Sequence, residues 1–250
     1  MKLFKISASV ALLSLLTLFA TNDTAAQDND IDYETVQIAT GTTIYSEDVK
    51  DIQGSPLIKE SFENGRILFT NGKASEVLPI NYDSYKNQVL FIKDRKVMVL
   101  NTNGVKGFMF LKPENFEQSD NVQEVFSYQV RNEAFGFSEA TPVQLLYNQG
   151  TGLKLINVHE TSLMRGNSKD PFTGKVIDRY VSGVTHYLEK KNGEVVKLRR
   201  LRDKDIINSL DKEYRKQLKN FMKESNLDGR SQKDLAKLLT YYDNITAGNS

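Results

Sequence analysis

Short runs of alternating apolar and polar residues fill the chain from Glu34 to about Leu198. Because successive side chains of a strand point to opposite faces, this period of two predicts half-buried β-strands. Asn71-Gly72-Lys73 and Lys93-Asp94-Arg95 separate such runs and have the length of hairpin loops. The predicted strands include residues 66–70, 74–80, 88–92, 96–100, 105–111, 125–130, 134–138, 143–147, 153–158, 180–188 and 194–198.

The predicted strands follow one another closely, with turn residues and almost no helical pattern between them. A parallel α/β sheet requires a helix between successive strands, so this spacing excludes a Rossmann-like or hydrolase-like fold. We therefore expect a mainly β fold, an antiparallel meander that is closed or folded over as a barrel or a sandwich.

The apolar period changes at Arg202. Apolar residues then recur every three or four positions, which is typical of one face of an amphipathic helix. The pattern also allows an interruption of this helix at 209–211. Ser231 and Asp234 have the spacing of a capping box that opens a second helix after Gly229. We expect a C-terminal pair of amphipathic helices packed on the β domain.

The first 26 residues have the three-part layout of a secretory signal peptide. Lys2 and Lys5 precede an apolar run, and Thr24-Ala25-Ala26 offers small residues to a signal peptidase. An uncleaved membrane anchor is the alternative, although the run is short for a stable span. The predicted organisation is a signal peptide at 1–26, a lead-in segment with the first strand at 27–50, an antiparallel β domain at 51–200 and a helical segment at 201–245.

The chain contains no cysteine. A lipid cannot be attached at a cysteine after the signal, so the sequence excludes a lipoprotein. Disulfide bonds, thiolate catalysis and cysteine-based zinc sites are excluded as well. Together with the bacterial type of signal peptide, this composition predicts a secreted protein of the periplasm or the medium.

Positive charge is concentrated near the C-terminus. Residues 190–240 contain 15 Lys and Arg against 8 Asp and Glu, although the whole chain has a net charge of only +1. The sharpest cluster consists of Lys197, Arg199, Arg200 and Arg202. Interleaved acids favour a solvated surface, and the alternative is weak contact with an anionic membrane or glycan. We expect no nucleic-acid partner for an exported protein.

Candidates for catalysis are few. The only histidines, His159 and His186, both lie in stretches whose alternation predicts a β-strand. Neither belongs to a pattern of metal ligands. We expect structural or surface roles for both, with general-base chemistry left open because imidazole titrates near neutral pH. A glycosidase-type carboxylate pair also stays open, since it needs no sequence motif. We expect no catalytic or metal-binding residues and no cofactor.

A polar island separates two alternating runs at residues 78–92, LPINYDSYKNQVLFI. Asn, Asp and Ser tolerate turn geometry and bond their own backbone, so a turn explains these residues without a ligand. They are Asn81, Asp83, Ser84 and Asn87. A turn does not explain Tyr82 and Tyr85. Either their rings cover the edge of the core while their hydroxyls reach water, or the two rings form a binding face.

The same island carries a resemblance, together with Gly54-Ser55-Pro56-Leu57, Phe62, Gly65 and a tail from Lys204 to Asp243. These residues resemble a family of exported, β-rich proteins common in Bacteroidota, with a Tyr/Asn-rich hairpin and a basic helical tail. Leu57 replaces an aromatic residue that is usual in that family. The resemblance implies export and this organisation, and it implies no particular activity.

The sequence thus favours an exported, non-catalytic protein that acts as a binding or scaffold module at the bacterial cell envelope, with an envelope protein or a small ligand as its partner. The alternative is a carrier of a small apolar ligand, with a cavity inside a β-barrel. An apolar cavity of several hundred Å³ would favour the carrier, whereas a scaffold needs none.

Overall fold

A computed structural model describes residues 35–36, 41–43, 52–112, 124–130, 132–136, 141–166, 174 and 176–247. The predicted signal peptide at 1–26 and most of the lead-in segment at 27–50 lie outside these residues.

Fourteen strands of the described chain belong to one sheet. They are β1 (Thr35–Val36), β2 (Gly41–Thr43), β3 (Ile52–Gln53), β4 (Glu63–Phe69), β5 (Ala74–Ser75), β6 (Leu78–Asp83), β7 (Gln88–Lys93), β8 (Lys96–Leu100), β9 (Val105–Phe110), β10 (Glu124–Ser127), β11 (Val143–Asn148), β12 (Lys154–Met164), β13 (Asp178–Glu189) and β14 (Val195–Leu198). Their order is β14-β13-β12-β11-β10-β9-β4-β6-β7-β8-β2, with β1 beside β5 and β3 beside β13.

Antiparallel pairing dominates this sheet, and only β1–β5 and β3–β13 pair parallel. The turn between β7 and β8 shows how the sequence produces the meander. Asp94 and Arg95 have φ values of 51° and 60°, the positive values that a two-residue hairpin turn requires. The prediction of a mainly β meander followed by C-terminal helices is confirmed.

The sheet is folded over and not closed, because the path of the described strands has two ends, β14 and β2. The β6–β7 turn nevertheless reaches β12 and β13, although four strands separate β6 from β12 in the path. Ser84 Oγ lies 2.7 Å from Thr161 Oγ1, and the rings of Tyr85 and Tyr180 are 5.3 Å apart. These contacts require a strongly curved sheet.

Two strand predictions need correction. The predicted strand at 74–80 is divided into β5 and β6, because the Ser75 hydroxyl accepts a hydrogen bond from Ile67 N and donates one to Glu76 O. Where the chain leaves β5, these bonds from the Ser75 side chain to the backbone take the place of backbone hydrogen bonds between strands. The predicted strand at 134–138 is wrong at its start, since Asn132–Phe135 forms a 3-10 helix.

Aromatic rings form the core of the central strands. Phe108 and Phe126 stack with centroids 4.6 Å apart, and Phe110 meets both edge-on at 5.7 and 5.9 Å. Tyr82 packs beside them, 5.9 Å from Phe108. All four side chains are buried. Such pairs contribute roughly 0.5–1.5 kcal/mol each beyond the burial of their area.

The helical segment contains α1 (Asp203–Ser209), α2 (Arg215–Glu224) and α3 (Gln232–Ala247). The first predicted helix is therefore divided at the predicted break, where a 3-10 turn, Lys212–Tyr214, intervenes. Ser231 Oγ accepts a hydrogen bond from Asp234 N, as a helix cap should. The Asp234 carboxylate does not complete a reciprocal box, because it accepts from Asp228 N instead.

Asp243 of α3 joins the helical segment to the sheet. One carboxylate oxygen accepts hydrogen bonds from Tyr147 Oη at 2.6 Å and Thr151 Oγ1 at 2.8 Å, and the other lies 2.9 Å from Lys191 Nζ. Asp243 is buried beside a continuous apolar cluster that α1, α2 and α3 share with the sheet. A buried carboxylate with these partners positions α3 on the sheet.

Asp243→Asn should lower the free energy of unfolding by about 1–2 kcal/mol, because an amide keeps a hydrogen-bond acceptor but loses the charge that pairs with Lys191. Chemical denaturation measures this loss. Glu194→Gln is the matched control, since it removes the exposed Lys190–Glu194 pair, and it should change stability by about 0.5 kcal/mol or less. Equal losses in the two variants would contradict the role of Asp243.

Candidate functional site

Both histidines of the chain belong to one hydrogen-bonded network on β11, β12 and β13. His159 Nε2 lies 2.9 Å from Gln144 Oε1, which also accepts a bond from Asn157 Nδ2 at 3.0 Å. Asn157 Oδ1 lies 2.7 Å from His186 Nδ1. Cross-strand register produces this arrangement, because Gln144 pairs with Asn157 and Asn157 pairs with His186.

The network continues to two charged groups. Gln144 Nε2 donates to Glu124 Oε2 at 3.4 Å, and Lys59 Nζ donates to Glu124 Oε1 at 2.7 Å. The Lys59 ammonium also lies 4.9 Å from the centre of the Phe110 ring, and the His159 ring packs 5.5 Å from Phe126. The network therefore follows the margin of the aromatic core.

Amide oxygens only accept hydrogen bonds, so they fix how each imidazole is protonated. His159 donates through Nε2 and His186 donates through Nδ1, which leaves one basic nitrogen on each neutral ring. Burial lowers the pKa of both His159 and His186 from the usual value of 6.5. For His159, nearby Lys59 and His186 lower the pKa further and Glu124 opposes them. Both rings are neutral at pH 7.

Nucleophilic catalysis would require a hydroxyl bonded to one of these rings. The nearby hydroxyls instead bond to one another: Thr161 Oγ1 lies 2.7 Å from Ser84 Oγ and 2.9 Å from Ser182 Oγ. Among the described residues, both imidazoles therefore act as hydrogen-bond donors within the network, and their roles stay a prediction.

Stability should fall as the pH is lowered from 7.5 to 5.5. The folded pKa values of both histidines lie below the unfolded ones, so the unfolded state binds more protons in this window. The loss should level off below the folded pKa values. His159→Gln keeps a donor at the Nε2 position and His186→Asn keeps one at Nδ1, so the double variant should lose most of this slope. Thermal denaturation at several pH values measures it, and an unchanged slope would contradict the assignment.

The two speculative binding residues lie in different environments. The Tyr82 ring is buried, and its hydroxyl donates to Asn87 Oδ1 at 2.6 Å rather than reaching water. Tyr85 is 43% exposed beside Tyr180. Binding by these residues stays a prediction, and only Tyr85 offers an accessible ring.

The outer ribbon, defined as residues 159–164 of β12 and 178–185 of β13, projects apolar side chains on both faces. Residues that pair directly across antiparallel strands share a face and neighbours along a strand alternate. The register pairs Val184 with His159 and Val181 with Ser162, so the two valines lie on opposite faces. Val181, Val184 and Met164 are all at least 40% exposed.

The edge gap is the stretch of β13 from Tyr180 to Thr185 on the side away from β12. On that side β14 pairs with residues 186–189, and β3 pairs with residues 178–179. No other strand of the described chain pairs with β13 there. The backbone of the edge gap therefore has groups without a ladder partner among the described strands.

The basic cluster lies next to the edge gap. Lys197 is on β14, and Arg199 and Arg200 follow the last β14 pair, Leu198 with His186. These three side chains are exposed and make no ion pair with any other described residue. Arg202 is half-buried at the start of α1.

Sequence reasoning missed Gln144, Asn157, Glu124 and Lys59 as members of the histidine network. The available signal was a polar residue within a strand that otherwise consists mostly of core residues, and Gln144 is such a residue in β11. The edge gap had a weaker signal, the uncharged run Tyr180 to Thr185.

Comparison with family models, curated proteins and solved structures gives no match for this chain. None of the helices in the described ranges has the length and apolar character needed to cross a membrane. Within the same residues, no group of three or more His, Asp or Glu side chains is arranged to hold a metal ion.

Proposed function

We propose that the protein is an exported, non-catalytic module that binds or scaffolds a partner at the bacterial cell envelope. The observation that carries this proposal is the distribution of exposed apolar side chains. Of the six large ones in the described residues, five lie on or beside the outer ribbon. They are Tyr85, Met164, Val176, Val181 and Val184.

Apolar surface in water is unfavourable by roughly 25 cal/mol per Å², and a partner that covers the outer ribbon recovers this free energy. Scattered exposed apolar residues are normal, whereas their concentration at one place is typical of an interaction site. The signal-peptide pattern and the resemblance to exported Bacteroidota proteins support the envelope as the place where this partner is met.

Cell fractionation and sequencing of the mature N-terminus test the export claim. We expect the protein in the periplasm or the medium, with an N-terminus at Gln27. A cytoplasmic chain that retains its first residues would contradict the proposal.

A panel of glycans, peptides and esters tests the non-catalytic claim, and turnover that His159→Gln abolishes would refute it.

Weak contact with an anionic membrane or glycan is a second proposal, supported by the exposed cations Lys197, Arg199 and Arg200. Their neutralisation to Gln should weaken sedimentation with anionic-lipid vesicles about tenfold or more at low salt, since each basic residue near such a surface contributes about 1 kcal/mol. The control removes equal charge from α2 through Lys216, Lys219 and Lys223. Equal effects of the two triple variants would show that net charge alone is responsible.

The carrier of a small apolar ligand stays a prediction. A fluorescent apolar probe tests it directly. A saturable signal that Phe126→Leu changes would favour the carrier, because Phe126 lies at the centre of the aromatic core.

A further inference from the structure

The backbone of the edge gap has no ladder partner among the described strands, although Gly54 lies against the Tyr180 backbone at the β3 end. Six residues, Tyr180 to Thr185, separate the parts of β13 that pair with β3 and β14. Because successive residues alternate in direction, about half of these residues point their N–H and C=O groups away from β12. Such a row of groups is a template for another strand.

The side chains of the edge gap do not protect it. Natural sheets protect open edges with Lys, Pro, bulges or inward-pointing charges. The run Tyr180-Val181-Ser182-Gly183-Val184-Thr185 contains no charge and no proline, and its pairing with β12 is regular over all six residues. Within the described part of the chain, the edge from Val181 to Thr185 therefore carries none of the devices that would exclude an added strand.

Gly183 lies in the middle of the gap, and the fold itself does not require a glycine there. Its φ is not positive, and a Cβ at this position would meet nothing within 4 Å. Glycine weakens a strand by roughly 0.5–1 kcal/mol relative to alanine. Glycine in a strand often marks a place where another backbone approaches closely.

The length of the gap limits its occupant. Six residues span about 20 Å, and β3 and β14 bound the gap at its two ends. In a symmetric pair, a second copy would present its own β13, which has 12 residues, and that strand would collide with β3 and β14. A short extended peptide fits this length.

Exposed arginine side chains lie at both ends of the gap. Arg199 and Arg200 lie at the β14 end, and Arg179 lies at the β3 end. All three are exposed, and the Arg179 guanidinium lies 3.5 Å from Met164 Sδ. The acids near the β3 end are Asp178, which pairs with Arg165, and Asp83, whose charge acts on Tyr180. Glu160 of β12 pairs with Gly183 in the middle of the gap. A ligand with carboxylates at both ends complements this distribution.

We propose that the edge gap binds a short extended peptide of a partner protein as an added strand, with acidic residues at the peptide's ends and β-branched residues between them. This inference rests on the proposed binding function and names the chemical class of the partner. Val181 and Val184 would flank the peptide on the two faces of the sheet.

Fluorescence anisotropy with a labelled peptide Asp-Val-Thr-Val-Thr-Glu tests the proposal. We expect saturable binding that weakens at least tenfold for the lysine-ended peptide Lys-Val-Thr-Val-Thr-Lys. Arg179→Glu with Arg199→Glu should also weaken binding tenfold or more. The matched control, Lys216→Glu with Lys219→Glu on α2, should change it less than about twofold, because these residues lie outside the gap.

Hydrogen exchange distinguishes strand addition from simple charge attraction. Outward-facing amides of Tyr180 to Thr185 should exchange quickly in the free protein and slowly with the acidic peptide. Absence of binding, equal affinity for the lysine-ended peptide, or binding without protection would each overturn the proposal. Slow exchange in the free protein would overturn it too, since the edge would already be paired. In each of these cases, a partner that crosslinks to position 184 in cells would still support the proposed binding function, so the two proposals can fail separately.

Discussion

Asn81→Asp should lower the free energy of unfolding by about 3–5 kcal/mol. Asn81 is fully buried, and its amide Nδ2 donates to Lys59 O and Ser61 O, both at 3.0 Å. Its Oδ1 accepts from Tyr82 N at 2.8 Å and Lys59 N at 3.3 Å. Aspartate has nearly the same shape, but it would direct a carboxylate oxygen at two carbonyl oxygens.

The bonds of Asn81 hold an irregular segment against β6. Strand β4 pairs with β6 through residues 63–65, which lie opposite residues 78–80, and Leu57 forms an isolated bridge with Asp83. Five residues, 58–62, therefore lie opposite only two residues of β6, Asn81 and Tyr82. The Asn81 amide bonds the backbone of Lys59 and Ser61 in this longer segment. Loss of these bonds leaves buried polar groups without partners, which is the main cost.

Urea denaturation of Asn81→Asp and the control Asn101→Asp measures this effect. Asn101 is exposed, and its Oδ1 accepts from Asn103 N, a role that an aspartate also fills. The control should stay within about 0.5 kcal/mol of the natural protein. Similar stabilities for the two variants would show that Asn81 does not hold this segment.

Gly107→Ala should destabilise the protein by about 3 kcal/mol or more. A Cβ on Gly107 would overlap the carbonyl oxygen of Phe126, a backbone atom of the neighbouring strand β10. Because β9 and β10 pair through Phe126 and Phe108, the strands would have to separate where the two rings stack. The register or the stacking would be lost.

Gly183→Ala is the matched substitution on β13, and it should leave stability unchanged or raise it by about 0.5–1 kcal/mol. Its Cβ would enter open space, and its φ is not positive. Thermal denaturation of the two variants side by side measures the contrast. A stable Gly107→Ala protein would contradict the close contact of β9 and β10.

The polar island at 78–92 shows what local sequence does and does not determine. Asp83 Oδ1 accepts bonds from Tyr85 N and Lys86 N, and Asn87 has a φ of 57°, so both are turn residues as predicted. Asn81 was wrongly predicted as a turn residue, since it lies within β6 and is fully buried. Its partners are about 20 residues earlier, and no local pattern reveals them.

The histidine network depends on contacts that are more distant still. Lys59 and Glu124 are 65 residues apart, and His159 meets Gln144 only because β11 and β12 pair in one register. Alternation identifies strands, yet it does not tell which strands are neighbours or which residues are opposite. The edge gap has the same origin, since it exists only because β3 and β14 pair with the ends of β13.

Site-specific photo-crosslinking in intact cells tests most directly whether the outer ribbon is a binding surface. A photoreactive residue replaces Val184 in one strain and Val77 in another, because these valines are similarly exposed, at 44% and 43%. Val184 lies on the outer ribbon, and Val77 lies between β5 and β6. We predict a discrete adduct with one envelope protein from position 184 and none from position 77. Identical products at both positions, or no adduct at position 184, would contradict the proposed function.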